Sequence, residues 1–453
     1  RFRGMSGAFG AVGGDLSAIN VNPAGSIFFN NNYATITGAI YNAKNKSRYF
    51  GTTTNDNDST LDINQIGAIF VFKNGAENKN DWRKIAVGLN YENTNNFNNS
   101  VFSAGNNPYN SIGNYFVNIA QGIPTNVLTD FSYYDLSFNE QQAYLGYDTY
   151  IFEPTNNTPN NNSYYTNIPV GGNYYQENSV ISNGYNGKLS FNAATSYKDK
   201  LYIGINLNSH FTDYKQSSSF YEDNGAPLTA DYTVSRLRFD NDLYTYGTGF
   251  SFQVGAIAKV TPELRAGLAY ESSTWYKLSD ELSQRLVAVS ANTIEELLPD
   301  DVDPRITNYY APYKLQTPSK LTGSLAYVFG KTGLISVDYA LKDYSNTKFK
   351  PENDSYFNGL NSDINALLDT TGELRIGAEY KIQAWSLRAG YRFEQSPYKN
   401  SNYISDLTGF SLGAGYNFGE SRLDLSFANS QRYFNQSLIS SGMNDTARIK
   451  NTN

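Results

Sequence analysis

The chain has 453 residues, a formal net charge of −7, no Cys, one His, 17% charged residues, 38 Tyr and 27 Phe. No Cys means no disulfide, thiolate metal site or catalytic thiol, one His leaves no His relay, and the acidic balance argues against nucleic acid. Mean hydropathy is −0.50 and no run of about 18 apolar residues occurs, which excludes membrane helices. So many aromatics argue against disorder, and an all-β chain with aromatics at an interface survives.

Residues 1–27 are rich in Gly and Ala. A short helix is expected over Gly14–Ile19, N-capped by Asp15, followed by a turn at Asn22-Pro23-Ala24-Gly25, with Asn22 biased away from helix by the proline. Such a small-residue segment fits inside a tube. From about residue 32 onward the pattern is strict alternation. Phe250, Phe252, Val254, Ala256 and Ala258 share one face, and Phe410, Leu412, Ala414, Tyr416 and Phe418 another. The opposite positions are mostly Gly, Ala, Ser and Asn, which suits a crowded uncharged lumen better than a water-washed sheet surface. Strands are expected near 32–42, 62–73, 82–97, 184–197, 201–216, 243–259, 263–276, 315–329, 333–345, 371–382, 384–396, 406–418 and 421–432. A last one starts near 446 and reads as cut short. Fourteen is an even number, as closure of an antiparallel barrel needs. Connections near 198–200, 259–263, 330–333, 382–384 and 418–421 are short. Those over 43–61, 98–183, 217–242, 277–314, 346–370, 397–405 and 433–445 are long. That asymmetry belongs to an outer-membrane barrel. The expected fold is therefore an all-β, 14-stranded antiparallel transmembrane β-barrel (31–453) with short helices in the extracellular loops, preceded by a small-residue segment (1–30) that either packs inside the tube or is an ordinary N-terminal extension.

The connection 98–183 is too long to be structureless. Within it Ile112, Tyr115, Phe116 and Ile119 fall at i, i+3, i+4 and i+7, a helical apolar stripe. A second helix is expected over 139–147, with Tyr144 on its apolar side. Two such helices over a barrel mouth make a groove for an acyl chain or aromatic ring, with Phe102 and Leu136 as further lining; the same stripes equally suit a lid packed on itself. Alternation puts Arg265, Glu271, Asp338, Lys342, Arg375, Glu379, Arg388, Arg392 and Asp424 in the lumen. The mixed signs suit a network holding a plug, joined by Arg1, Arg3 and Asp15, and Arg388 or Arg392 can meet a ligand carboxylate. The heavy Asn usage, about 56 residues, is assigned to the surface loops. Asp56, Asp58 and Asp62, and Asp300, Asp301 and Asp303, read as solvated loop tips rather than a metal site. A Ser–His arrangement would have to use His210, near the outer end of the fifth strand, with no partner motif. No enzyme, metal or cofactor is expected.

The opening RGMSGAFGAVGGDLSAINVNPAG resembles that of the FadL-type outer-membrane transporters of long-chain fatty acids and aromatic hydrocarbons. The likeness rests on Asn22, Pro23 and Ala24, supported by Gly4, Gly7, Ala8, Gly13 and Asp15. It implies a barrel plugged by its N-terminus, with Gly13, Asp15, Asn22, Pro23, Ala24 and Gly25 as the gating segment. It also implies capture of a hydrophobic ligand at the surface and lateral exit beside the third strand. The expected function is passive outer-membrane transport of hydrophobic small molecules in a Gram-negative bacterium, in contact with outer-membrane lipid. The alternative is a non-transporting barrel docked to an outer-membrane protein partner, such as a secretion machine.

Overall fold

The computed structural model describes residues 1–73 and 81–453; the connection between the second and third strands, 74–80, lies outside the described residues. Fourteen antiparallel strands form a closed barrel. They are β1 (Tyr33–Tyr49), β2 (Thr52–Lys73), β3 (Trp82–Asn96), β4 (Tyr174–Tyr197), β5 (Leu201–Asn224) and β6 (Thr233–Lys259). Next come β7 (Leu264–Glu271, resuming as Trp275–Ala291), β8 (Lys320–Phe329), β9 (Gly333–Asp343) and β10 (Thr370–Ile382). The barrel ends with β11 (Trp385–Glu394), β12 (Leu407–Asn417), β13 (Arg422–Ser437) and β14 (Thr446–Thr452). Each strand pairs with its neighbours in sequence, and β14 closes on β1 from Lys44↔Thr452 to Arg48↔Arg448. Three helices, α1 (Gly113–Ala120), α2 (Thr125–Asp130) and α3 (Phe138–Asp148), sit at the long-loop end. A fourth, α4 (Ser355–Leu367), lies between β9 and β10. No helix among the described residues is long and apolar enough to cross a membrane.

Period-two alternation sets the two faces of the wall. The outward positions of β7 and β13, Leu268, Leu425 and Phe427, are exposed, as are Ile36 on β1 and Leu325 on β8. A continuous exposed aliphatic band is stable only against hydrocarbon. Aromatic rings border it at the short-turn end, where Trp82 meets Tyr197 (centroids 5.2 Å apart) and Trp385 meets Tyr416 (4.8 Å). At the other end Trp275, Tyr246 and Tyr433 are exposed. Rings with one apolar and one wet side belong at both interfaces.

The strands differ from the expected spans in one systematic way: those on one side of the barrel are much longer. The segments expected as loops over 43–61 and 217–242 are largely strand, and β1 and β2 run on to a tight turn at Phe50–Gly51. The strands β4, β5 and β6 have 24, 24 and 27 residues, against the roughly 9–11 that a tilted membrane strand needs. In Thr52–Thr60 of β2 both faces are polar, so no hydrophobic alternation marks that stretch, whereas the upper parts of β5 and β6 turn Phe220, Val234, Leu237 and Phe239 inward to a separate buried core. Much of 277–314 is likewise strand, paired along β6 or in short runs against β7. Residues Asn99–Asn107, expected as loop, form an inner strand along the upper part of β4.

Leu268→Arg places a charge in the middle of the lipid-facing band and should lower stability in lipid vesicles by about 2–4 kcal/mol. The same change at Ile294, an exposed loop residue, should leave it unaltered. Urea unfolding of the two variants checks this; equal effects at both sites would mean that β7 does not carry the band.

Candidate functional site

Residues 1–29 cross the inside of the barrel. The backbone at Pro23 and Ala24 passes so close to β5 that a Cβ on Gly204 would lie 2.5 Å from Ala24 N, and one on Gly267 of β7 would lie 2.5 Å from the Gly10 carbonyl oxygen. Only glycine admits such approach. The segment folds as three short 3₁₀ turns, Arg3–Met5, Ser17–Asn20 and Pro23–Phe28, rather than the helix expected over Gly14–Ile19; Asp15 accepts from Ser17 N at 3.0 Å. Gly13 takes a positive φ of 66° and packs on Gly25, whose carbonyl accepts from Gly14 N. Asn22 donates to the carbonyls of Gly10 (2.9 Å) and Ala256 (3.1 Å) while its Oδ1 accepts from Ala24 N.

Two kinds of interaction hold this segment to the wall. Apolar side chains form two clusters, one of Met5, Phe9, Val12 and Leu334, the other of Leu16, Ile27, Tyr202 and Ile257. Amides answer its carbonyls: Asn192 donates to Pro23, Asn206 to Ile19 and Gln253 to Val21, at 2.8–3.0 Å. Part of the Asn usage therefore lies in the lumen and not only in the surface loops.

Glu379, Arg388, Asp424, Arg375 and Arg392 form ion pairs across the lumen, joined by Arg1, whereas Arg3, Asp15 and Lys342 make no ion pair within 4.0 Å among the described residues. The Glu379 carboxylate takes Arg1 Nε at 3.0 Å and Arg388 Nε at 2.6 Å, and Arg388 Nη1 reaches Asp424 at 2.8 Å. Asp338 accepts from the backbone N–H groups of Phe9 and Gly10 at 2.8 and 3.0 Å. Arg265 donates to Val12 O at 3.0 Å and lies 4.5 Å above the Phe28 ring. Arg388 is fully buried in these pairs, whereas Arg392, paired to Glu373 and Glu394, keeps part of its side chain exposed. Sequence reasoning missed Glu373, Arg422, Lys188 and Lys320, which pair into the same networks. Parity finds them: Glu373 is two residues from Arg375 on one strand and so shares its face.

Between β2 and β3 the wall has a backbone seam. The β2–β3 ladder stops at Gln65↔Glu92, and the β3–β4 register shifts between Asn93 and Asn95. Above that point β2 and the third-strand region meet through side chains: Asn93 Nδ2 to Asp62 at 2.6 Å, Asn64 Nδ2 to Asn93 O at 3.2 Å and Ser100 Oγ to Asp56 at 2.5 Å. Asn20 of the N-terminal segment bonds Glu92, the last residue below the seam.

Over the long-loop end the expected apolar stripe is folded inward. Ile112, Tyr115 and Phe116 are buried in a core with Tyr49, Phe220 and Leu286, and Phe116 stacks edge-on to Phe239 at 5.4 Å. Ile119 and Tyr144 pack partly buried against that core; Leu136 is buried and Phe102 is half-buried on the inner strand. The structure thus brings Ile112, Tyr115, Phe116, Ile119 and Tyr144 together as a closed lid core. A polar cavity of about 400 Å³ lies elsewhere, between α4 and Ser345–Lys348. Among the acidic loop residues Asp301 pairs with Arg285, and no group of three His, Asp or Glu side chains among the described residues could hold a metal ion. His210 Nε2 lies 2.8 Å from Ser251 Oγ, a partner on the next strand that sequence spacing does not reveal.

One carboxylate ties the lid to the wall. Glu222, near the outer end of β5 and well beyond a membrane-spanning length, accepts from Ser111 Oγ, from Ile112 N at 3.0 Å and from Gln176 Nε2 at 2.7 Å. Burial pushes its carboxyl up from 4.5 to about 7, against the pull of those three donors.

Fold and interior together define an outer-membrane β-barrel whose lumen is crossed by its own N-terminus. The chain belongs to the outer membrane protein transport family (OMPP1/FadL/TodX), whose family model matches residues 161–447, and its place is the outer membrane of a Gram-negative bacterium. It is similar in fold to a Pseudomonas aeruginosa FadL homologue, with 14% identity, a TM-score of 0.54, and 100% of this chain and 95% of that one covered. It is likewise similar to the Pseudomonas putida toluene transporter TodX, at 13% identity and a TM-score of 0.50, with 100% and 95% covered. Among curated proteins, none matches.

A carboxyl whose folded pKa is raised favours the folded contact fully below its unfolded pKa and loses that advantage as pH climbs toward the folded value. The lid contact at Glu222 should therefore weaken between about pH 4.5 and 7, by on the order of 3 kcal/mol. Amide exchange across residues 111–120, corrected for intrinsic rates, should speed up by about two orders of magnitude from pH 4.5 to 7.5. Glu222→Gln should flatten the profile; an unchanged profile in that variant assigns the titration to another group.

Proposed function

We propose that this chain is a passive channel for hydrophobic compounds, long-chain fatty acids or aromatic hydrocarbons, gated by residues 1–30 as a hatch within a barrel formed by 31–453. Family membership supports transport, and one fold neighbour is by name a toluene transporter. The observation that carries the lateral route is the seam: the wall's ladder ends at Gln65↔Glu92, and the hatch residue Asn20 sits on Glu92. A hydrophobic solute avoids a polar lumen by leaving sideways into lipid, and side-chain bonds across the seam break at less cost than a backbone ladder buried in hydrocarbon.

In this reading Ile112, Tyr115, Phe116, Ile119, Leu136 and Tyr144, with Phe102 beside them, make the first site once the lid loosens. The turn Asn22-Pro23-Ala24-Gly25, with Gly13 and Asp15, is the part of the hatch that shifts. An anionic head meets Arg392 rather than the fully enclosed Arg388.

Deletion of Arg1–Gly25 should leave a folded, heat-modifiable barrel with raised ion conductance, and Pro23→Ala should do the same to a smaller degree. Unchanged conductance in bilayers and unchanged uptake would remove the hatch role. Deletion of Thr94, the residue between the shifted positions, should restore register with β4 and lower uptake of toluene or a fluorescent fatty acid into proteoliposomes several-fold. It should leave ion conductance as in the parent; full hydrophobic uptake in that variant rejects the lateral route.

A further inference from the structure

The outward face of the closure between β1 and β14 carries positive charge at one height. In β1 the residues alternating with the inward Ala43, Asn45 and Ser47 are Lys44, Lys46 and Arg48, all exposed. In β14 the inward residues are Ala447 and Ile449, both fully buried, and the outward ones are Arg448 and Lys450. The register sets like charges directly opposite: Lys46 faces Lys450 and Arg48 faces Arg448. Directly opposed like charges destabilise a strand pair. Among the described residues no carboxylate lies within 4.0 Å of any of these five cations, although the exposed Arg285 and Arg236 each have one. The outward neighbours at this height are neutral: Thr53, Asn55 and Asn57 on β2, and Gln431 and Asn435 on β13. Asp445, next in the chain, turns inward to Asn107 and Asn110.

Height identifies what faces this patch. The outward residue two positions below Asn42 is Ile40, exposed and paired with the exposed Leu61, and Ile36 lies beneath them. The cations thus begin where the lipid-facing band ends, on the long-loop side. Tyr433, at the outer aromatic rim, sits between them: Arg448 and Lys450 lie over its ring at 5.3 and 5.8 Å. A cation held over a ring still carries several N–H groups able to meet an oxyanion.

We propose that Lys44, Lys46, Arg48, Arg448 and Lys450 bind the phosphate groups of an outer-leaflet lipid whose acyl chains lie on Ile36, Ile40 and Leu61. Charge complementarity and the apolar wall directly below both select a phosphorylated lipid over a free anion. The lipid bridges β1 and β14 and relieves the repulsion between their opposed charges, so it also stabilises the closure. This role is separate from transport and stands whether or not the channel reading holds.

The test uses the full chain in a neutral detergent. Native mass spectrometry with a bisphosphorylated hexa-acyl glucosamine-disaccharide lipid should show retention at least tenfold stronger than with the same lipid stripped of its phosphates. The variant Lys46→Ser/Arg48→Ser/Arg448→Ser/Lys450→Ser should lose that preference. A control that removes exposed cations on the far wall, Lys215→Ser/Arg238→Ser/Lys277→Ser, should keep it. Equal retention of the two lipids by the parent protein overturns the proposal, and that comparison decides even if the patch variant fails to fold. Equal loss in both variants also overturns it, as general charge attraction. Displacement of the lipid by 10 mM inorganic phosphate would assign the site to a free anion and overturn the lipid assignment.

Discussion

The carboxylate of Glu379 fixes the inside of this barrel. It is buried, and it takes both Arg1 from the chain's beginning and Arg388 from β11. Arg422 and Lys381 also lie within 4.0 Å of it, so Glu379 is the shared carboxylate of a cluster of cations rather than half of an isolated pair. The N-terminal segment is therefore not a loose tail inside a tube. It is held at one end by Arg1 on Glu379, in the middle by Asp338 on Phe9 and Gly10, and toward β1 by the amides of Asn192, Asn206 and Gln253. That segment crosses the lumen packed against the wall through two apolar clusters and several hydrogen bonds.

The two ends of the molecule solve different problems. Toward the short turns the wall needs only to match the membrane, and aromatic pairs such as Trp385–Tyr416 mark its edge. Toward the long loops β4, β5 and β6 run far past the band and make a second, water-side compartment. The helices α1 and α3 fill it with apolar side chains against Phe239 and Leu286. That core has no lipid to face, so it is closed upon itself, and Glu222 fastens it with three donors.

The sequence made the barrel legible wherever lipid lies on one side and the lumen on the other, since there side chains of opposite character alternate strictly. The strand count, the loop asymmetry and the inward charges Arg388, Glu379 and Asp338 all follow from that parity. It fails above the band, where Thr52–Thr60 has water-compatible residues on both faces and reads as loop although it is paired strand. It fails again for contacts between strands distant in sequence, such as Glu222 with Ser111, because no local pattern encodes the lid's docking. The apolar stripe of α1 was visible as a stripe, but whether it faced a groove or a core depended on Phe239 and Leu286, more than a hundred residues away.

The β1–β2 hairpin is where these features meet. On one edge its upper part is paired to β14 over a few residues bearing opposed like charges. On the other edge its ladder to β3 ends at Gln65, and above that only side chains join the two. Below, β1 continues directly from Phe29, the last residue of the segment that crosses the lumen. In this hairpin the backbone ladder to β3 gives way to side-chain contacts, and at its base the chain that crosses the lumen enters the sheet. Phosphate on the β14 side would strengthen one edge and leave the β3 seam as the weaker one.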